Sequence, residues 1–170
     1  KCEQGTNLVL ALEFMKEKGV ITWDNSTYDC STAFSDNDVK NAETYKIEGF
    51  ERLSSWFSIQ DSTILDMKRA ISEKKPLIIG MHLPNSFNYV DRRTGIWYPE
   101  PADYIEVEKV KNKKATYDGH AMCVIGYNDN KSINGGSFEI MNSWGEDAGK
   151  NGFYWISYDD MKTFASQVLI

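Results

Sequence analysis

Two neighbouring stretches decide the predicted fold, GHAMCVIGY at residues 119–127 and IMNSWG at residues 140–145. The composition around them predicts β-strands at residues 120–127 and 137–143. The polar segment between them favours a hairpin turn at Asn134-Gly135-Gly136. If the two strands pair, the Asn142 side chain can accept a hydrogen bond from one imidazole nitrogen of His120, leaving the other nitrogen to face a nucleophile.

The rest of the chain carries helical patterns first and strand patterns later. Apolar spacing predicts a helix at residues 6–18, ended by Gly19, and another at residues 62–74 behind the N-cap candidate Asp61. Residues 37–44 are compatible with a short helix. Further strand patterns lie at residues 45–53, 77–83, 95–98, 152–157 and 166–170. This order, with no alternation of strands and helices, predicts an α+β fold with an antiparallel sheet.

The composition excludes several classes of protein. With 170 residues, 41% of them hydrophobic, the chain can form a core without a disulfide scaffold or a metal, which predicts a single domain over residues 1–170. The net charge of -6 and the lack of a long basic run argue against nucleic acid or an anionic membrane as partner, and no apolar run could span a bilayer. The lysine-rich residues 109–114 are predicted to form a solvated loop. The cysteines lack the close spacing of a zinc site, so we expect no metal and no cofactor.

Taken together, the motifs resemble the papain family of cysteine peptidases. The stretches at residues 119–127 and 140–145 are followed by GKNGF at residues 149–153, in the order of that family. Upstream, CEQG at residues 2–5 precedes the first predicted helix and resembles the family's Cys-Asn-Gly-Gly stretch. The resemblance implies a papain-like fold in which early helices pack on an antiparallel, barrel-like sheet. It also implies hydrolysis of peptide bonds through a Cys-His-Asn arrangement.

The resemblance assigns roles to individual residues. It implies that His120 is the general base paired with a thiolate, that Asn142 orients it, and that Trp144 shields their hydrogen bond from water. The substrate-binding candidates are Gly5, Gly80, Gly119 and Ala121. Gly5 would offer backbone hydrogen bonds to an extended substrate. Gly80 and Ala121 would lie near a pocket for the second residue before the scissile bond, with a preference for apolar side chains.

The nucleophile that the resemblance implies is missing from the sequence. In the family it opens a long helix, after a glutamine that supplies the oxyanion hole, and both would precede Lys1. Cys123 lies three residues beyond His120 on a predicted strand, so their side chains would project from opposite faces. Cys2 lacks the family's nucleophile context. A bridge between Cys2 and Cys30, or from either to the missing segment, is the favoured interpretation of both.

These observations lead to two hypotheses from different classes. The first is a two-chain thiol endopeptidase in which an N-terminal chain of the same precursor supplies the cysteine and the oxyanion glutamine, so that this chain alone is inactive. The chain begins at Lys1 without a signal-like segment, which suggests a processed product or a truncated version of a single-chain enzyme. The alternative is a catalytically inactive papain-like module that binds peptides or inhibits a related enzyme. The resemblance suggests a secreted or cell-envelope location.

Other residues are interpreted as structural. His82 has no asparagine motif and is predicted to be a strand or rim residue, and Asp159-Asp160 is predicted to begin a short helical turn. Ala148 stands where many members of the family carry a second tryptophan, which affects the site for the first residue after the cut. Without its partner chain, the protein is expected to expose an apolar surface around residues 8–14.

Overall fold

The computed structural model of the chain describes residues 5–21, 33–131 and 135–170. These residues fall into two compact units, Lys1–Phe50 and Glu51–Ile170. No helix in the described part of the chain is both long enough and apolar enough to cross a bilayer. The described ranges also contain no group of three or more metal-binding side chains.

The first unit contains helix α1 (Leu8–Lys18), helix α2 (Asp36–Ala42) and a 3-10 turn (Glu43–Tyr45). Helix α1 begins where the Asn7 side chain accepts a hydrogen bond from the Val9 backbone N–H at 2.9 Å. It ends at Gly19, as predicted, because a φ of 86° favours glycine and a Cβ there would lie 1.8 Å from the Ala42 carbonyl oxygen.

Helix α1 leaves much of its apolar side exposed. Leu12 is buried, whereas Leu10 and Phe14 are 67% and 61% exposed. This agrees with the expectation of an apolar surface around residues 8–14. The hairpin residue Asn134 and the cysteines Cys2 and Cys30 lie outside the described residues.

The second unit is built on a five-stranded antiparallel sheet with strand order β4-β3-β2-β1-β5. Its strands are β1 (Leu77–His82), β2 (Gly119–Asn128), β3 (Ser137–Met141), β4 (Phe153–Ser157) and β5 (Ala165–Leu169). The accompanying helices are α3 (Asp61–Ser72), a 3-10 turn (Asn85–Tyr89), α4 (Pro101–Lys111) and α5 (Tyr158–Phe164). The fold is therefore α+β, as predicted.

The core lies on one face of this sheet. Alternate strand residues are buried there together with helical side chains, and burying each large apolar side chain contributes about 1.5–3 kcal/mol. The strand members include Ile79, Met81, Met122, Val124, Phe138 and Ile140, and the helical members include Met67, Val107, Met161 and Phe164. This core holds β1, β2 and β3 in a fixed register, and β2 and β3 carry the candidate site.

Three of the sequence predictions are wrong. Residues 45–53 form no strand; instead Glu51 and Leu53 make backbone hydrogen bonds to residues 170 and 168 beside β5. Residues 95–98 contribute a single bridge, between Ile96 and Trp155. The position before helix α3 is Gln60, whose backbone N–H donates to Thr63 Oγ1, so Asp61 is the first helical residue rather than the cap.

A fourth prediction, the solvated loop at residues 109–114, is wrong because helix α4 reaches Lys111. Pro101 occupies the first turn, where its missing N–H costs nothing, and the Asp103 carboxylate accepts a hydrogen bond from the Glu100 backbone N–H at 2.7 Å. Val107 and Val110 are buried on the inner side. The prediction of a helical turn at Asp159-Asp160 is confirmed by α5, which Ser157 caps.

Candidate active site

His120 and Asn142 meet where strands β2 and β3 lie side by side. Cys123 of β2 lies opposite Met141 of β3, so Asn142 follows directly after a paired position and its side chain reaches back toward the start of β2. His120 Nε2 lies 2.7 Å from Asn142 Oδ1. The hydrogen bond expected from the sequence is therefore present.

The surroundings of Asn142 determine which imidazole nitrogen carries the proton. Asn142 Oδ1 also accepts a hydrogen bond from the Ser143 backbone N–H at 2.7 Å, so this atom is the amide oxygen. The Asn142 backbone N–H donates to the Gly152 carbonyl oxygen at 3.0 Å, which holds the residue in place. His120 Nε2 must then be the donor, and a neutral imidazole has its lone pair on Nδ1.

His120 Nδ1 makes no hydrogen bond to any described residue. His120 is half-buried, so the imidazole ring is held in place while Nδ1 remains open to a reacting group. The arrangement is that of an oriented base, because one nitrogen fixes the ring and the other can accept a proton.

Trp144 lies against the imidazole. The two ring centroids are 4.8 Å apart, with the planes tilted by 36°. Phe87 supports the indole from another side, edge-on, at a centroid distance of 6.0 Å. Trp144 covers one side of His120 but is itself 43% exposed. Its role as a shield of the hydrogen bond stays a prediction.

The far side of the Asn142 amide is buried. Its Nδ2 makes no hydrogen bond among the described residues, although Tyr154 is a close neighbour. Burial raises the pKa of the Tyr154 hydroxyl, while the Asn142 amide and the more distant Arg92 charge oppose the increase. The Tyr154 ring stacks on Phe87 at a centroid distance of 4.6 Å, so the aromatic neighbour of the Asn142 amide is itself held in place.

Two cavities adjoin the His120 and Trp144 rings. One of about 230 Å³ is lined by His120 and Trp144 and bounded by Leu83, Pro84, Phe87 and Asp118. Another of about 280 Å³ continues past Trp144 and is lined by Arg92, Asp147, Ala148 and Tyr154. Phe87, Asn88 and Trp144 line both cavities, which therefore run side by side. The small side chain of Ala148 leaves space in the wall of the second cavity.

A buried polar network holds the wall that both cavities share. The Ser86 hydroxyl donates to Asp103 Oδ2 at 2.6 Å and accepts from Trp97 Nε1 at 3.0 Å. This ties the 3-10 turn of Phe87 to the start of helix α4. Ser86, Trp97 and Asp103 were not predicted from the sequence, where the Pro-x-Asp pattern of a helix start at Pro101 was the available signal.

The remaining candidates are placed as follows. Gly80 of β1 lies opposite Ala121 of β2, and His82 lies opposite Gly119, so these residues share one face at the same end of the sheet. Gly5 belongs to the first unit and is exposed. His82 ends β1 as a buried residue and contacts Glu106 Oε1 through Nε2 at 3.1 Å, which fits its predicted structural role.

Cys123 is the free cysteine among the described residues. Met122 and Val124 face the core. His120 projects from the same face of β2 by strand alternation, so Cys123 projects from the opposite face, as predicted. Burial raises the pKa of its thiol, which favours the unreactive protonated form. No thiol in the described part of the chain faces His120.

The α+β fold and an oriented His-Asn pair define a class of protein, the papain-like cysteine proteases. Residues 1–169 match the sequence profile of the papain family cysteine proteases, and the chain belongs to this family. A relative in Acanthamoeba polyphaga mimivirus, the uncharacterized peptidase C1-like protein L477, is 31% identical over 99 residues, which cover 58% of this chain and 27% of that protein.

Solved structures show the same fold. Xylellain, a cysteine protease from Xylella fastidiosa, has a TM-score of 0.67 at 22% identity, over 97% of this chain and 60% of that one. The bromelain protease from Ananas comosus, solved with the E64 inhibitor, has a TM-score of 0.62 at 20% identity, over 99% of this chain and 69% of that one. The chain spans about a quarter of the length of the mimivirus relative and 60% of xylellain.

Proposed function

We propose that this chain supplies the histidine and the asparagine of a thiol endopeptidase, and that an N-terminal chain of the same precursor supplies the nucleophilic cysteine and the oxyanion glutamine. The observation that carries the proposal is the 2.7 Å contact between His120 Nε2 and Asn142 Oδ1, with Nδ1 left open. A module that only binds peptides has no chemical need for an oriented imidazole. A secreted or cell-envelope location is part of the proposal.

The reaction is acyl transfer through a thioester. His120 Nδ1 takes the thiol proton, and the thiolate sulfur attacks the peptide carbonyl carbon to form a C–S bond. The protonated Nδ1 then donates that proton to the leaving amine as the C–N bond breaks. Water next gives a proton to Nδ1 and attacks the thioester, and the thiol recovers its proton from His120 as the acid product leaves. His120 thus acts as base and as acid in each half of the cycle.

Asn142 and Trp144 act through His120. Each proton transfer creates or removes an imidazolium, and Nε2–H donates more strongly to Asn142 Oδ1 when the ring is charged. A hydrogen bond to a charged group contributes about 1.5–3 kcal/mol, which favours the ion pair of thiolate and imidazolium. Trp144 limits access of water to one side of the ring, which strengthens that bond.

We place the nucleophile on another chain. Cys123 projects from the wrong face and its burial raises the pKa of its thiol, so it cannot pair with Nδ1. In an active cysteine protease a thiol would face His120. A cysteine on another chain, placed at a helix N-terminus where the dipole stabilises a thiolate, meets that requirement.

The test is to purify the protein from its source and measure its mass under native conditions and then under denaturing, reducing conditions. We expect a second, cysteine-bearing polypeptide in the native particle. Hydrolysis of a fluorogenic peptide by this complex should disappear in His120→Ala. Undiminished hydrolysis in His120→Ala would refute the role of His120. Peptide binding without hydrolysis in the wild-type complex would favour the inactive binding module instead.

A further inference from the structure

Beside His120, the sheet carries three residues with little or no side chain. Gly80 and Ala121 are paired across β1 and β2, and Gly119 lies one pair further along on the same face. Residues without long side chains leave a shallow depression in the surface of a sheet, although at Gly80 the Ser166 and Gln167 side chains occupy that space. Gly119 precedes His120 directly, so the depression lies on the opposite face of β2 from the His120 side chain, at the same end of the strand.

The ring of Tyr117 lies in this depression. A Cβ added to Gly119 would be 2.1 Å from Cε1 of Tyr117 and 2.7 Å from its hydroxyl oxygen, so the ring packs flush against the glycine backbone. Such an approach is open only to glycine. Tyr117 is half-buried, and burial raises the pKa of its hydroxyl.

A hydrogen-bond relay fixes the ring at its tip. Ser166 is the extra residue of a β-bulge, since Gly80 lies opposite Gln167 while Met81 lies opposite Ala165. The Ser166 hydroxyl donates to the Gly80 carbonyl oxygen at 2.9 Å, which uses its single proton. The Tyr117 hydroxyl, 2.7 Å from Ser166 Oγ, is therefore the donor in that second bond.

Two more aromatic rings hold Tyr117 from the side. Trp56 and Phe57 meet it edge-on at centroid distances of 4.8 Å and 5.8 Å. Phe57 has a left-handed φ of 46°, a conformation that costs free energy in a residue with a bulky side chain. Its backbone N–H donates to the Ser166 carbonyl oxygen at 2.7 Å, so the turn is tied to the same bulge as the tyrosine hydroxyl.

We propose that Tyr117 determines which substrates this site accepts, by filling the depression over Gly119 and restricting the peptide side chain that lies there to glycine, alanine or serine. The inference rests on the proposed peptidase function, in which this depression receives the second residue before the scissile bond. A leucine or phenylalanine side chain can enter only if the Tyr117 ring leaves, with loss of the Ser166 bond and of both edge-on contacts. Tyr117 is a specificity residue and takes no part in the proton transfers.

The test compares kcat/KM of the complete two-chain enzyme for two peptides that differ only in having Ala or Phe at that position. The wild type should prefer Ala. Tyr117→Ala should raise the Phe-to-Ala ratio by at least about tenfold, since filling or emptying a pocket by a few methylene groups changes specificity by that amount or more. Tyr117→Phe keeps the ring and should stay within about threefold of the wild type. Tyr98→Ala, which removes an exposed tyrosine elsewhere, should leave the ratio unchanged.

A second variant displaces the ring without deleting it. Gly119→Ala puts a Cβ where the Tyr117 ring lies, so it should shift the Phe-to-Ala ratio in the same direction as Tyr117→Ala. An unchanged ratio in Tyr117→Ala, with hydrolysis of the Ala peptide intact, would overturn the inference.

A binding measurement separates this inference from the peptidase proposal. If the wild type hydrolyses neither peptide, the peptidase proposal fails, and the same two peptides are titrated calorimetrically in a form with an N-methylated scissile amide. Tighter binding of the Phe peptide by Tyr117→Ala than by the wild type, by about tenfold, would then still support the size restriction. Equal affinities for the two proteins would overturn it.

Discussion

The side-chain oxygen of Asn142 accepts a hydrogen bond from His120 Nε2 at 2.7 Å and another from the Ser143 backbone N–H at the same distance. The second bond determines the first, because it leaves the amide no freedom to present its NH₂ group to the imidazole. The orientation of the candidate base thus depends on a backbone N–H that no substitution of Ser143, other than proline, would remove.

Removal of the Asn142 amide should impair catalysis more than substrate binding. In the proposed two-chain enzyme, we expect Asn142→Ala to lower kcat by about 10- to 150-fold, the equivalent of one hydrogen bond to a charged imidazolium. KM should change little, because Asn142 acts on His120 rather than on the substrate. The exposed Asn130→Ala serves as the control. A rise in KM with unchanged kcat would mean that Asn142 contacts substrate instead.

The cavity beside Ala148 should determine which residues are accepted just after the scissile bond. Ala148→Trp would fill much of the 280 Å³ space next to Trp144. We expect kcat/KM to fall by about tenfold or more for peptides with a large residue just after the scissile bond, and to change little for those with glycine there. Ala148→Ser adds a single atom and should leave both peptides unaffected. Equal losses for both peptides in Ala148→Trp would indicate general distortion rather than a filled pocket.

The His-Asn pair could be predicted from the sequence because its geometry is set by two adjacent strands. Both residues lie at the same end of a hairpin, so strand pairing alone brings them together, and the apolar runs that specify the strands are local patterns. Helix α4 was missed because a basic C-terminal turn looks solvated when the burial of Val107 and Val110 is not known. Its start was signalled only by Pro101 and Asp103.

The contact between Tyr117 and Ser166 could not be predicted from the sequence. These residues are 49 positions apart, and their hydrogen bond depends on a β-bulge that changes the register between β1 and β5. The bulge interrupts the alternation of burial along β5, where Ala165 and Ser166 are both buried, but a strand of five residues is too short for this interruption to be recognised in the sequence. The same holds for Ser86 and Asp103, which belong to different elements.

The Ser86 network should be a main contributor to the stability of the second unit. Ser86→Ala leaves the buried Asp103 carboxylate without one donor and Trp97 Nε1 without its acceptor. We expect the free energy of unfolding to fall by about 1–3 kcal/mol, the cost of leaving buried polar groups unpaired. Urea unfolding followed by tryptophan fluorescence measures it. The exposed Ser143→Ala should change stability by no more than about 0.5 kcal/mol. A similar small effect of Ser86→Ala would mean that water replaces the lost partners.

The Cys123 thiol should be slow to react in the folded protein. Burial raises its pKa, so at pH 8 less of it is thiolate than in the unfolded chain. We expect alkylation by iodoacetamide at pH 8, followed by peptide mass mapping, to be at least about tenfold slower in buffer than in urea. Because the folded-state pKa is the higher one, the unfolded chain loses the thiol proton first as the pH rises past its pKa of about 8.5, and the folded state is destabilised there. Cys123→Ala should therefore reduce the loss of stability between pH 8 and pH 10. Alkylation as fast in buffer as in urea would place Cys123 at an open, reactive surface and would reopen its candidacy as a nucleophile.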